Sequence, residues 1–341
     1  MRYLLGTLAG GSLLAGPVHA QDFVELAPSS AWAMNYDDDS CALQREFGED
    51  EDRVYLELRQ FGPDTSLQVV VAAKNYRTRR WNFELTFGPG FDEPLDIDAL
   101  NLSLNEGYQG KLFSFEPSRS GPGSELVRNA FLTSTRFFTA EEKAILMEGF
   151  GLDPETQRSR RFWSYEDNVE LLNRFRTVFE RSAALENYLQ SFESGVETLS
   201  FHDAFNQDFT LQTGKLRAPM EAMRTCLDEL LTHWGIDAEA HKSLTREVTP
   251  ENRQDVLRIM QRDYPGEMLM ERRPGDLRVR MDVSAEGEPT ACHLQTGFSD
   301  ESFERTACQN LMRVARFLPA LDAEGEPIAS YHQFHVMYRV Q

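Results

Sequence analysis

Apolar and polar positions alternate in several short runs of the first third of the chain. Trp81-Asn82-Phe83-Glu84-Leu85-Thr86-Phe87 sets its aromatic and aliphatic side chains on one side, the period of a half-buried strand. Residues 54–58 alternate in part, and residues 67–73 form a short, mostly apolar run. Turn formers punctuate these segments at Gly62-Pro63-Asp64 and Gly88-Pro89-Gly90. Residues 31–115 are therefore expected to be mostly strands of an antiparallel sheet. Between residues 117 and 124 the composition shifts to Pro, Ser and Gly, a loop, and the period then becomes helical. Thr139-Ala140-Glu141-Glu142 has the form of a capping box, with Thr139 as N-cap. Residues 166–192 are charged and amphipathic, with Leu171, Leu172, Phe175, Val178 and Phe179, and predict a helix pair packed on the sheet. Residues 196–201 and 209–211 return to strand character. The clearest helix covers residues 218–234: Met220, Met223, Leu227, Leu230, Leu231 and Trp234 recur at threes and fours, Pro219 stands near the start and Gly235 just past the end.

A polar stretch, residues 237–248, reads as a linker. After it, Thr249 as N-cap and Pro250 at the first helical position open a helix with Val256, Ile259 and Met260 on one face, ending near Tyr264-Pro265. Leu277, Val279, Met281 and Val283 then alternate with Arg278, Arg280 and Asp282, the pattern of a half-buried strand. Glu286-Gly287-Glu288 turns into a second strand, in which Cys292 and Leu294 share a face. A helix over residues 300–315 follows, with Phe303, Ala307, Leu311 and Val314 on its stripe. The last run sets Phe334, Val336, Tyr338 and Val340 on one side and Tyr331, Gln333, His335 and Arg339 on the other. The expected fold class is α+β: a β-rich N-terminal domain with packed helices over residues 21–236, and a small domain of helix, two strands, helix and strand over residues 249–341.

The first 20 residues read as a secretory signal peptide: Arg2, an apolar stretch of Leu, Ala and Gly, and small residues at Val18 and Ala20, with cleavage expected after Ala20. An uncleaved membrane anchor is the alternative. It requires roughly 20 apolar residues, and here Gly residues and Pro17 interrupt the stretch. The formal charge of -20 disfavours nucleic acid and anionic lipid heads, since phosphate binding depends on Lys and Arg. The negative charge concentrates before residue 249, and one hot region runs from Tyr36 to Asp52. Its carboxylates lack the spaced ligands and central Gly of a calcium loop, so a solvated loop is expected. The four cysteines, Cys41, Cys226, Cys292 and Cys308, are an even set without any Cys-x-x-Cys pair, which favours two disulfides over a zinc or redox centre. Four cysteines allow three connectivities. Placing Cys292 and Cys308 in one domain pairs them, leaving Cys41 with Cys226 and stapling the helix of residues 218–234 to the sheet.

No hydrolase elbow, His-Glu-x-x-His pair or phosphate-binding loop occurs, so no catalytic residue, cofactor site or metal site is assigned. His332 and His335, three apart, point to opposite sides of a strand. His202, His233, His241 and His293 are isolated in sequence and read as structural or solvated.

In order, the C-terminal region contains Tyr264-Pro265, Gly275-Asp276-Leu277-Arg278-Val279, Gly287, Ala307, Arg316-Phe317-Leu318-Pro319-Ala320 and Gly325-Glu326-Pro327. This set resembles the C-terminal domain of the TonB energy-transducer family, the strongest part being Arg316, Phe317, Pro319 and Ala320 followed by Gly325 and Pro327. Phe317 is expected to plug the core, Pro319 to stop the helix, and Gly325 with Pro327 to turn the chain into the last strand. The resemblance implies a non-enzymatic periplasmic protein that binds an extended segment of an outer-membrane transporter, or of another envelope protein, by strand addition. Tyr331, Gln333, His335, Met337 and Arg339 belong to the candidate edge strand. The alternatives are an inner-membrane-anchored energy transducer, a self-associating structural protein or homodimer, and a hydrolase without a recognisable motif.

Overall fold

The computed structural model describes residues 23–63, 66–115, 183–262, 270, 275–295 and 301–338. In chain order its first strands are β1 (Val24–Leu26), β2 (Ala33–Asp37), β3 (Ser40–Phe47), β4 (Val54–Gln60), β5 (Leu67–Ala73), β6 (Asn82–Gly88), β7 (Phe91–Asp98), β8 (Leu100–Ser103), β9 (Gln109–Phe115), β10 (Thr198–His202) and β11 (Phe209–Leu211). They build two sheets, with strand orders β2-β3-β4-β5-β9-β8 and β1-β11-β10-β6-β7. One hydrophobic core draws on both.

The expectation of one sheet over residues 31–115 is thus corrected. β6 and β7 leave the first sheet and join β10, because the aromatic face of β6 needs an apolar partner surface opposite it. Phe83 meets Phe113 edge-on at 5.3 Å, and Phe87 stacks on Phe115 at 4.7 Å. The acidic stretch from Tyr36 to Asp52 is also not a solvated loop. β2 and β3 form a hairpin there, with Cys41, Ala42, Leu43 and Phe47 buried. The carboxylate residues at Asp37, Asp38 and Glu49 to Asp52 stay exposed, and the local charge density masks the apolar positions between.

Two helices pack on this core. In α1 (Ala183–Gly195), Phe192 lies 5.2 Å from Phe87 and 5.0 Å from Phe91. In α2 (Arg217–His233), Met223, Cys226, Leu227, Leu230 and Leu231 are buried, and a Cys41–Cys226 disulfide ties the helix to β3. The capping box at Thr139 and residues 166–182 lie outside the described residues.

The stretch from Asp237 to Val248 carries structure of its own. Asp237 accepts the backbone N–H groups of Glu239 and Ala240, capping α3 (Ala238–Lys242). Leu244 and Val248 then enter a second core. That core gathers β12 (Thr249–Pro250), α4 (Arg253–Arg262), β13 (Gly275–Val283), β14 (Pro289–Leu294), α5 (Glu301–Val314), β15 (Phe317–Leu318), β16 (Ala320–Leu321), β17 (Pro327–Ile328) and β18 (Ser330–Tyr338).

Two helix boundaries differ from expectation. Thr249 and Pro250 do not start a helix: they pair with Leu318 and Phe317 in a short ladder, and α4 starts at Arg253. Nor does Pro319 stop α5, which ends at Val314. There Asn252 donates Nδ2 to the Val314 carbonyl at 2.9 Å and accepts the Arg316 N–H on Oδ1 at 3.1 Å. A distant amide thus closes the helix by satisfying the groups at its frayed end. Gly287, in the β13–β14 turn, has φ +84°, and a Cβ there would lie 2.2 Å from the Phe317 carbonyl oxygen. The turn and the buried Phe317 are locked together by the absence of a side chain.

The turn after β10 is closed by a buried carboxylate. Asp208 is fully buried and receives the His202 ring and the Asp203 N–H. Burial lowers the imidazole pKa, but the hydrogen bond and charge of Asp208 outweigh it and hold His202 above its ordinary 6.5.

Two predictions follow from these contacts. Because His202 is raised on folding, its stabilisation is complete below the unfolded value near 6.5 and fades as pH rises through the folded pKa. An NMR titration should place His202 above 6.5 in the native chain and lower in Asp208→Asn; equal values in both would refute the clasp. The Cys41–Cys226 bond closes a loop spanning 185 residues. Replacing both cysteines by Ala should cost about 2–5 kcal/mol in denaturant unfolding, and an unchanged midpoint would contradict the stapling role.

Candidate partner-binding sheet

The C-terminal sheet has the order β14-β13-β18, so β18 borders β13 alone among the described strands and occupies a sheet edge. The ladder is antiparallel and long, running from Gly275↔Tyr338 to Val283↔Ser330 without a register shift. Period-2 alternation makes the two faces chemically distinct.

One face is apolar. Leu277, Val279, Met281, Val283 and Phe334 are buried with Val256 and Met260 of α4 and Ala307 and Leu311 of α5. On this face Cys292 of β14 is bonded to Cys308 of α5. Phe317, 4% exposed, sits 6.2 Å from Phe334 and 5.8 Å from His332.

The opposite face is polar, and the alternation predicts that it meets water. It does not: Arg278 and Arg280 are 6% and 4% exposed. The N-terminal part covers them. Arg280 donates to Asp39 at 2.7 Å and to Asp282 at 3.0 Å, and its guanidinium lies 3.9 Å from the Trp234 ring centroid. Trp234 is fixed in turn by donating Nε1 to the Asp38 carbonyl at 3.0 Å. Arg278 lies 4.8 Å over Phe61 and donates to Ser114 Oγ at 2.9 Å. Gln295 and Gln333 both donate to the Phe61 carbonyl. Burial pushes the Asp39 carboxyl above its ordinary value, against the pull of Arg280.

The candidate edge residues divide accordingly. The Tyr331 ring meets Trp234 edge-on at 5.2 Å and stacks on His241 at 5.5 Å, while Gln333 is held by Phe61 and Gln295. Gly62 lets both approach, since a Cβ there would lie 2.8 Å from the Tyr331 hydroxyl. His335 is exposed, and β18 carries Met337 near its end. Arg339 lies outside the described residues, as do Tyr264 and Pro265. The structure thus ties Tyr331 and Gln333 to the chain's own N-terminal part and leaves His335 outward. Among the other motif residues, Arg316 donates to the Ala315 carbonyl at 2.7 Å. Ala320 pairs with Ile328, and Gly325 (φ +85°) closes the turn before Pro327.

Periodicity does not reveal Asp39, Phe61, Trp234, Arg278, Arg280 and Gln295 as one interface. The available signal is compositional: residues 249–341 contain Arg but no Lys. Arg is the cation suited to buried, planar pairing and to stacking on aromatic rings.

Among the described residues no group of three or more His, Cys, Asp or Glu is arranged to hold a metal ion, and no helix is long and apolar enough to cross a membrane. Residues 260–340 match the family model for the Gram-negative bacterial TonB protein C-terminal. The resemblance carried by the motif is therefore met independently over that stretch. No curated protein and no solved structure matches the chain.

Arg280→Ala leaves Asp39 and Asp282 facing a vacated site, and breaking such a pair typically costs about 3–5 kcal/mol. Urea unfolding should show a loss of that order, with a smaller loss for Asp39→Asn. A loss below about 0.5 kcal/mol for Arg280→Ala, the level of an exposed ion pair, would show that the contact does not hold the two parts together.

Proposed function

We propose that this chain is a non-enzymatic envelope protein of a Gram-negative bacterium, exported to the periplasm, whose C-terminal module accepts an extended protein segment as an added strand at β18. In this reading residues 1–20 are the export signal, residues 21–236 the N-terminal domain, residues 237–248 the connector and residues 249–341 the binding module. The family match over residues 260–340 carries the reading, because TonB-type C-terminal domains engage outer-membrane transporters. Two further observations support it. Among the described strands β18 is an edge strand nine residues long, and an edge offers backbone groups that an extended segment can pair with. Both cysteine pairs are oxidised, which suits an exported protein.

The interface shapes what such a partner can use. Tyr331 and Gln333 are held by the N-terminal part, so recognition falls to the β18 backbone and to outward side chains such as His335. Binding of this kind tolerates varied sequences, since main-chain hydrogen bonds supply affinity and a few side chains supply choice. A segment of an outer-membrane transporter linked to TonB-dependent transport is the partner this reading favours.

A photo-crosslinking residue in place of His335, in the full-length exported chain, checks the assignment. Exposed to Gram-negative outer-membrane extract, it should trap an outer-membrane transporter, whereas the same group at exposed Glu221 on α2 should not. Equal products from both positions, or none from His335, would defeat the proposal.

A further inference from the structure

A cavity of about 470 Å³ lies between α1 and α2, with β4 and β5 at its base. Its volume is in the range of small-molecule sites. Five of its lining residues come from one side of α2: Leu216, Met220, Arg224, Leu227 and Leu231 recur at intervals of four and three, a single helical stripe. Between the first and the last the helix rises about 22 Å, at 1.5 Å per residue. Leu189 and Phe192, three apart on α1, form the facing wall, and the buried Leu58 of β4 and Leu67 of β5 form the base. At one end the two helices are joined, the Leu216 N–H reaching the Glu193 carbonyl at 2.9 Å. At the other, α3 supplies His241 and Lys242 to the lining, and Lys242 donates Nζ to Asp228 at 2.6 Å. Spread along that length, the volume makes a slender channel.

The charges in its wall are already matched. Glu193, 5% exposed, accepts from the Arg224 guanidinium on both carboxylate oxygens, at 2.7 and 3.1 Å. Asp228 is taken by Lys242. The Arg224 and Lys242 side chains are 47% and 50% exposed, while Leu216, Leu227 and Leu231 are buried, so the charged heads gather at the open side above an aliphatic interior.

Shape and lining together select the ligand. A polar molecule would give up its hydration and find both of these carboxylates occupied. A fused ring system would be too wide. An unbranched hydrocarbon chain needs no hydrogen bond and packs along leucine and methionine side chains over its whole length. The wall also reaches towards the C-terminal sheet, since His241 stacks on Tyr331 of β18 at 5.5 Å and Glu247 of the connector lines the cavity. A bound chain would therefore brace the junction of the two parts. We propose that this channel binds the single acyl chain of a fatty acid or lysolipid, its head at the open side beside Arg224 and Lys242.

Fluorescence of trans-parinaric acid, a straight conjugated fatty acid, should rise saturably on titration with the full-length exported chain, and oleate should displace it. Displacement by oleate alone assigns the free acid; displacement by lysophosphatidylethanolamine as well assigns the acyl chain whichever head it carries. Oleate below its micelle concentration should also raise the thermal midpoint of the unsubstituted chain, a readout that needs no variant. Met220→Trp and Leu189→Trp fill the channel from opposite walls and should each weaken binding at least about tenfold. Ala222→Trp, on the exposed side of α2, should leave it unchanged. Absence of saturable binding, failure of oleate to displace the probe, or affinity indifferent to both channel substitutions in variants that unfold like the unsubstituted chain would overturn the assignment.

Discussion

The arrangement of the molecule depends on one buried cation. Arg280 leaves the central strand of the C-terminal sheet on its polar face and is closed in by Asp39, Asp282 and the Trp234 ring. A guanidinium that is 4% exposed is tolerable only with its donors satisfied and its face stacked. Those partners come from three places: the β2–β3 turn, the strand itself and the end of α2. Through this group the hairpin that carries Cys41, the helix that carries Cys226 and the C-terminal sheet become one assembly. Arg278 over Phe61, and the two glutamines on the Phe61 carbonyl, extend the same contact.

That contact determines what the C-terminal sheet can offer a partner. Both of its faces are covered, one by α4 and α5 and the other by the N-terminal part, so the feature left open among the described residues is an edge. The Cys292–Cys308 bond fixes β14 to α5 at the other side of the sheet, and β18 lies at the opposite border. Covering both faces also limits non-specific hydrophobic association, which an isolated three-stranded sheet invites. A strand added there, as proposed, would be recognised chiefly through backbone geometry, with choice set by register and a few outward side chains.

Much of the fold is legible in the sequence because its periods are clean. The alternation of β6, the three-and-four spacing of α2 and the Leu277-to-Val283 stripe each predict their element within one or two residues. Four kinds of information are not legible. Strand alternation marks which residues share a face but not which sheet a strand joins, so β6 and β7 were indistinguishable from their neighbours. Local charge obscured the hairpin of β2 and β3, where Cys41, Leu43 and Phe47 are interspersed with carboxylates. Polar residues on a strand read as solvent-facing whether water or another part of the chain covers them, and so Arg278 and Arg280 gave no sign of burial. The helix end at Val314 was equally hidden, since the residue that closes it, Asn252, is far away in the chain. The motif around Phe317 stood out for the opposite reason: a large apolar ring fit for burial and the turn at Gly325 are both read from a few adjacent residues.

Hydrogen–deuterium exchange of the full chain bears most directly on the claim that β18 receives a partner strand while the interface behind it stays closed. Measured with and without an outer-membrane transporter segment, the account predicts added protection across residues 330–338, with Gly275–Val283 and the Asp39 turn unchanged. Protection gained only on α4 and α5, or lost around Asp39 and Trp234, would show that the partner binds elsewhere or opens the contact on which the structure depends.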